Sequence, residues 1–235
     1  MSTPPNRAEV LALVRSSPTF VGAHDKAGWL GIFGGQHVIE DPVGWRPVRS
    51  EEPGALARFW DTFIAPNAIE FQVTQDWVDG FDVVRDVTIV TTLRTGVRVR
   101  TPAHLLYQTA YEDGALKVRR MAAHWEPAPV YRQLLRPTRA HLSAAAGQTT
   151  HMFRTLGAGP SLQFIGAVRS VGSRGKRMVL DDLAVKGVTH VPKVVASGNV
   201  VTASCILHDA PAAVIAQFAP RSRTLIDLKI YSDLA

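Results

Sequence analysis

The 235-residue chain carries 26 lysines and arginines against 20 aspartates and glutamates, a formal charge of +6, with 46% hydrophobic residues and one cysteine, Cys205. This supplies core for one large domain or two small ones, and a lone cysteine excludes an internal disulfide framework and a multi-cysteine metal site. The basic residues are scattered, in groups no longer than Arg119-Arg120 and Arg174-Gly175-Lys176-Arg177, which argues against a nucleic-acid partner. No apolar run approaches the roughly 18 residues of a membrane span, and MSTPPNRAEV lacks the basic and apolar regions of a secretory signal, so the expectation is a cytoplasmic protein with no membrane partner.

In NRAEVLALVRSS the apolar residues at 10, 11, 13 and 14 form a helical stripe that Asn6 can cap, and Pro18 is expected to end that helix or start the next piece. HDKAGWLGIF repeats the pattern, with Trp29, Leu30, Ile32 and Phe33 on a broad face and Gly34-Gly35 as a stop. QHVIED reads as a short strand. EEPGALARFWDTFIAP reads as a third helix, with Pro53 in its first turn and Pro66 closing it. Then the texture changes. AIEFQVTQDWVDG, FDVVRDVTIVTTLRTG, VRVRTPAHLLYQTAYEDG and ALKVRRMAAHWE are rich in valine, threonine and aromatics and read as strands joined by tight turns. Helices followed by an antiparallel meander predict an α+β layer design, a bent sheet wrapped on helices around an apolar interior.

EPAPVYRQLLRPTRAHLSAAAGQ is rich in proline, alanine and arginine, includes a short helical piece and marks a boundary. The predicted units are 1–135 and 150–235, with 136–149 as a linker. The second unit repeats the first in outline: FIGAVRS at 164–170 echoes FVGAHDK at 20–26, GKRMVLDDLA stands for AGWLGIF, and a strand meander follows. Lys186-Gly187 fall where Glu40-Asp41 would be, and the third helix is missing. The second unit reads as a shortened, non-catalytic copy.

VIEDPVGWRP, residues 38–47, holds the chemistry. From the residues alone, Asp41 before Pro42 is either a turn residue or a proton-transfer base at the mouth of an apolar pocket. Set in GWLGIFGGQHVIEDPVGWRP and followed by ALARFWDTF, it resembles the ketosteroid isomerase branch of the nuclear-transport-factor-2-like (SnoaL-like) superfamily over roughly residues 7–127. The resemblance implies a cone-shaped α+β barrel with a deep pocket for flat apolar ligands, no cofactor, and two sheets packed face to face in a dimer. The partner sheet would come from a second copy (a homodimer) or from residues 150–235 (an intramolecular pseudodimer).

Carried over position by position, Asp41 matches the catalytic base. The oxyanion site of a tyrosine and a neutral aspartic acid is established for ketosteroid isomerase. Here His104, in TPAHLLY, matches the aspartic acid, and the tyrosine falls near Ser17; no tyrosine occurs in residues 1–106. His104 is either a pocket donor or a packed histidine. Trp60, Met121, Ala123, Trp125 and Phe33 are the expected pocket residues, with the Trp125 indole beside Asp41. Strand alternation turns His124 outward. Glu40 reads as solvent-facing, and Cys205 as a small buried residue. His24, Asp25 and His37 lack metal-ligand spacing on one face, and no glycine-rich phosphate loop occurs, so no metal or cofactor is expected. The expected function is double-bond isomerisation in a 3-ketosteroid or related enone. The alternatives are a non-catalytic module binding an apolar ligand or a protein, and another SnoaL-like cyclisation or hydrolysis.

Overall fold

Asn6 caps the first helix by accepting the Ala8 backbone N–H at 2.9 Å. The computed structural model describes residues 5–136, 138–159, 161, 170–220 and 224–232, and in it this helix, α1, spans Arg7–Gly22. It does not stop at Pro18. Val10, Val14, Ser17 and Val21 form one buried stripe, and packing that stripe outweighs the single backbone bond the proline forfeits. Asp25 caps α2 (Lys26–Gly31) through the Gly28 N–H. Strand β1 (Phe33–Glu40) follows at once and contains Gly34 and Gly35, so it is longer than QHVIED suggests. After β2 (Val48–Arg49), α3 (Ala55–Phe59) starts beyond Pro53 and continues in a π-helical turn over Trp60–Ile64.

Strands β3 (Ala68–Asp79), β4 (Asp82–Thr92), β5 (Arg98–Glu112) and β6 (Ala115–Trp125) complete a six-stranded sheet of order β2-β1-β6-β5-β4-β3, with β1 parallel to β6 and the other pairs antiparallel. Its inner face closes on the helices around a core that includes Val14, Trp29, Phe33, Trp60, Val83 and Tyr107. This is the expected mixed α+β fold with a curved sheet.

The stretch expected as a linker is largely helix. α4 (Pro127–Leu134) and α5 (Arg139–Leu156) fold back over the mouth of the cone, where Val130, Leu134 and Ala144 pack on Leu93, Val97 and Val99. Most of the FIGAVRS echo, residues 164–169, lies outside the described residues.

The second unit comprises α6 (Gly172–Val185) and strands β7 (Val188–Ser197), β8 (Val200–Leu207), β9 (Ala210–Phe218) and β10 (Leu225–Ser232), in the order β10-β9-β8-β7. On one face, Val179 and Leu183 of α6 pack with Phe218 and the buried Cys205. The other face lies on the outer face of the first sheet, where Val43, Trp77, Val84, Leu106 and Ala122 meet Val200, Ala213, Ile215 and Tyr231. Burial on both faces explains why Val200–Cys205 are buried without alternation. The two backbones meet at Gly44 and Gly198: a Cβ on Gly44 would lie 2.6 Å from the Gly198 Cα. Trp77 Nε1 donates to the Pro211 carbonyl at 3.0 Å, and Ser197 Oγ to the Val43 carbonyl at 2.8 Å.

Candidate functional site

β1 delivers Asp41 to the inner face, and the Asp41–Pro42 peptide is cis. The turn is held by Val43 N–H donating to the Ala123 carbonyl at 2.9 Å and Trp45 N–H to the Pro42 carbonyl at 3.0 Å. Asp41 faces an apolar cavity of about 460 Å³, a volume typical of small-molecule pockets. Met121, Ala123 and Trp125 of β6 line the same cavity, which α4 and α5 roof through residues such as Leu134 and Met152.

The Trp125 indole N–H donates to Asp41 Oδ1 at 2.6 Å. Removal from water pushes the Asp41 carboxyl up from 3.8 to about 6, and the indole bond pulls in the opposite direction. The group therefore titrates near neutrality, where it can take up a proton and give it back.

Tyr107 lines the same cavity from β5 and is only 1% exposed. Burial raises its phenol pKa; the Arg85 charge and a hydrogen bond with Ser17 oppose that shift, and Asp41 adds to it. The Trp29 indole donates to Ser17 Oγ at 3.2 Å. An indole only donates, so Ser17 accepts there and keeps its own hydrogen to give to the Tyr107 oxygen, an arrangement in which the phenol hydrogen is free to turn to the cavity. Ser17, on α1, is thus the meeting point of the Trp29 indole and the Tyr107 hydroxyl, which comes from β5.

Other expected positions fall elsewhere. Trp60 and Phe33 are core residues against Trp29, with ring centroids 5.5 and 4.8 Å away, and form no part of the cavity wall. His104 lies on the opposite face of β5. Its Nδ1 and Nε2 each lie 2.8 Å from a hydroxyl of the second unit, on Thr202 and Ser204. Ser204 in turn bonds Asp86, which Lys193 also engages. Burial drives the His104 pKa down, against the pull of Asp86. It is a neutral member of the seam between the sheets and does not reach the cavity. His124 also turns outward, its Nδ1 3.2 Å from the His104 carbonyl, with its pKa lowered by burial to about 4. Glu40 is partly buried rather than free in solvent, and accepts from Arg120 Nε at 2.7 Å.

The residues missed by sequence reasoning are Tyr107, its partner Ser17, and the roof from α4 and α5. In the structure Leu105 and Tyr107 stand opposite Ala123 and Met121, and residues opposite an inward pair point inward too.

No family's sequence model matches the chain, and no curated protein does. Among solved structures it is similar to the Δ5-3-ketosteroid isomerase of Mycobacterium sp., at 23% identity over 52% of this chain and 95% of that one, with a TM-score of 0.46. It is also similar to a Mycobacterium tuberculosis protein crystallised with estradiol-17β-hemisuccinate, at 23% identity over 50% and 94% of the two chains and a TM-score of 0.44. An M. tuberculosis LEH-like epoxide hydrolase matches at 17% identity over 61% and 99% of the chains, with a TM-score of 0.47.

Proposed function

We propose that the cavity isomerises a β,γ-unsaturated 3-ketosteroid, or a related steroid-catabolite enone, to its conjugated form. The observation that carries this reading is a carboxylate poised near neutrality, Asp41, in an apolar cavity whose wall also holds the Tyr107 hydroxyl.

Asp41 takes the proton from the carbon between the carbonyl and the double bond. The electron pair of that C–H bond moves to the ketone oxygen, giving a dienolate, and Tyr107 donates a hydrogen bond to the new charge. Asp41 then returns the proton two carbons away, the electrons flow back from the oxygen, and the double bond ends up conjugated. Atoms and charge balance without a cofactor, because the substrate carbonyl is the electron sink. Trp125 keeps one Asp41 oxygen oriented, and the apolar walls strengthen both the base and the donor by excluding water.

The test follows ultraviolet absorbance of the conjugated product for wild type, Asp41→Asn and Tyr107→Phe. The expected result is turnover that falls by about 10³-fold or more without the base and by about 10² to 10³-fold without the phenol. Wild-type protein that binds a steroid enone but never converts it would overturn the isomerase reading in favour of a binding cavity.

A further inference from the structure

Behind Tyr107 lies a charge that the proposed reaction does not use. Arg85 on β4 is 1% exposed. Its Nε donates to Asp76 Oδ1 at 2.7 Å and its Nη2 to Asp76 Oδ2 at 3.0 Å, while Nη1 is buried with no hydrogen-bond partner among the described residues. Val83 and Val87, on the same face of β4, belong to the inner core; Val84 and Asp86 face the second unit. Arg85 therefore projects into the cone. β4 pairs Val83 with Tyr107 and Arg85 with Leu105. Arg85 and Tyr107 are thus diagonal neighbours on one face, roughly 7–8 Å apart at the backbone and within reach of long side chains.

A buried ion pair rarely improves on an apolar pair of the same volume as a fastening between strands. What is distinctive here is where the cation lies. We propose that Arg85 is a positioning residue for Tyr107: its guanidinium, pinned by Asp76, polarises the phenol so that Tyr107 donates a stronger hydrogen bond to the dienolate oxygen. The proposal rests on the reading of Tyr107 as the oxyanion donor. The charged and titratable groups around the phenol are Arg85 from β4, Asp76 from β3, Asp41 at the end of β1, and Arg15 of α1, whose Nε lies 3.7 Å from Asp76 Oδ2. Arg85 draws the phenol toward ionisation, and Asp41 and Asp76 oppose it.

The test needs no substrate. The full chain is labelled with 3,5-difluorotyrosine, its four tyrosines are observed by fluorine NMR, and Tyr107→Phe assigns the resonance. Asp76→Asn keeps the cation and removes its counter-charge, and is expected to lower the Tyr107 pKa by about one unit. Arg85→Met combined with Asp76→Asn removes both charges and is expected to raise it by a similar amount. Arg85→Lys keeps the charge and is expected to stay near wild type. Because Asp76 itself holds the phenol back from ionisation, the Arg85 charge is read between the two variants that lack the Asp76 charge: a Tyr107 resonance that titrates alike in Asp76→Asn and in the double variant overturns the proposal, and Arg85→Gln combined with Asp76→Asn makes the same comparison if the first double variant does not fold. Isomerase assays on the same proteins separate the two claims. Expected shifts without turnover in the wild type would overturn the isomerase reading alone. Turnover that depends on Tyr107, with an unmoved titration, would overturn the role of Arg85 alone.

Discussion

Trp125 Nε1 lies 2.6 Å from Asp41 Oδ1, and it is the hydrogen bond that opposes the desolvation of that carboxylate. Trp125→Phe keeps an aromatic wall and deletes the donor. The acid limb of the kcat/KM profile should then move up from about pH 6 by about half a unit to one unit, with plateau activity down about tenfold. A pH–rate profile checks this. An unmoved limb would mean that the indole fills space and does not tune the base.

Asp41 should also leave a mark on stability. Burial pushes its carboxyl from the ordinary 3.8 up to about 6 in the fold, so the folded state holds this proton more tightly than the unfolded chain. The stabilisation is complete below the unfolded value and is lost as pH rises through the folded one. Asp41→Asn should therefore exceed wild type by up to about 3 kcal/mol near pH 7.5, with the gap closing toward pH 4. Urea unfolding at the two pH values measures it, and a gap independent of pH would contradict the raised pKa.

His104 offers the opposite separation of activity from stability. His104→Leu strands Thr202, Ser204 and Asp86 at the seam and should destabilise the protein by about 1–3 kcal/mol, while kcat/KM changes by less than about twofold. Thermal unfolding and turnover on one preparation suffice, and a large loss of kcat in a folded variant would return His104 to the chemistry. Because burial depresses the pKa of both His104 and His124, their contribution is intact above the ordinary 6.5 and is lost as pH falls, for His124 toward about 4.

Met152 tests the roof. It is 5% exposed and touches the cavity from α5. Met152→Ser removes apolar surface far from the base and should raise KM for a steroid enone by about tenfold, with kcat within about twofold. A fall in kcat at constant KM would place α5 in the chemistry instead.

Much of this was legible in the sequence. Alternation and turn residues mark all four long strands of the first sheet, and EDPVG marks the turn that carries Asp41. His104 is placed in the pocket by its match to a position in the resembled family, and such a match carries no register. The β5–β6 hairpin pairs Glu112 with Ala115 and Thr109 with Val118, and a bulge then shifts the pairing so that Gln108 meets Arg120. Counted from the turn without the bulge, His104 would face Ala123 and point into the cavity. With it, His104 faces His124 outside and Tyr107 faces Met121 inside. A one-residue shift exchanges the faces of a whole strand, and no local residue preference announces it. In the 136–149 stretch a short helical piece is legible but its full length is not: the alanines are good helix formers, and the apolar partners that hold α5 in place come from distant residues.

The sheet that backs the cone belongs to the same chain, and its charges are sorted. Lys193 and Lys229 from the second unit face Asp86, Asp79 and Asp82 from the first. A two-fold interface must be complementary to itself, so each face would have to carry both signs. This seam has no such obligation, and two copies of either face would set like charge against like. Nor does it obey mass action: a tethered cover has no second-order step and does not fall away on dilution. Joining the two sheets in one polypeptide thus allows a polarised contact that serves a single cavity and does so at any protein concentration.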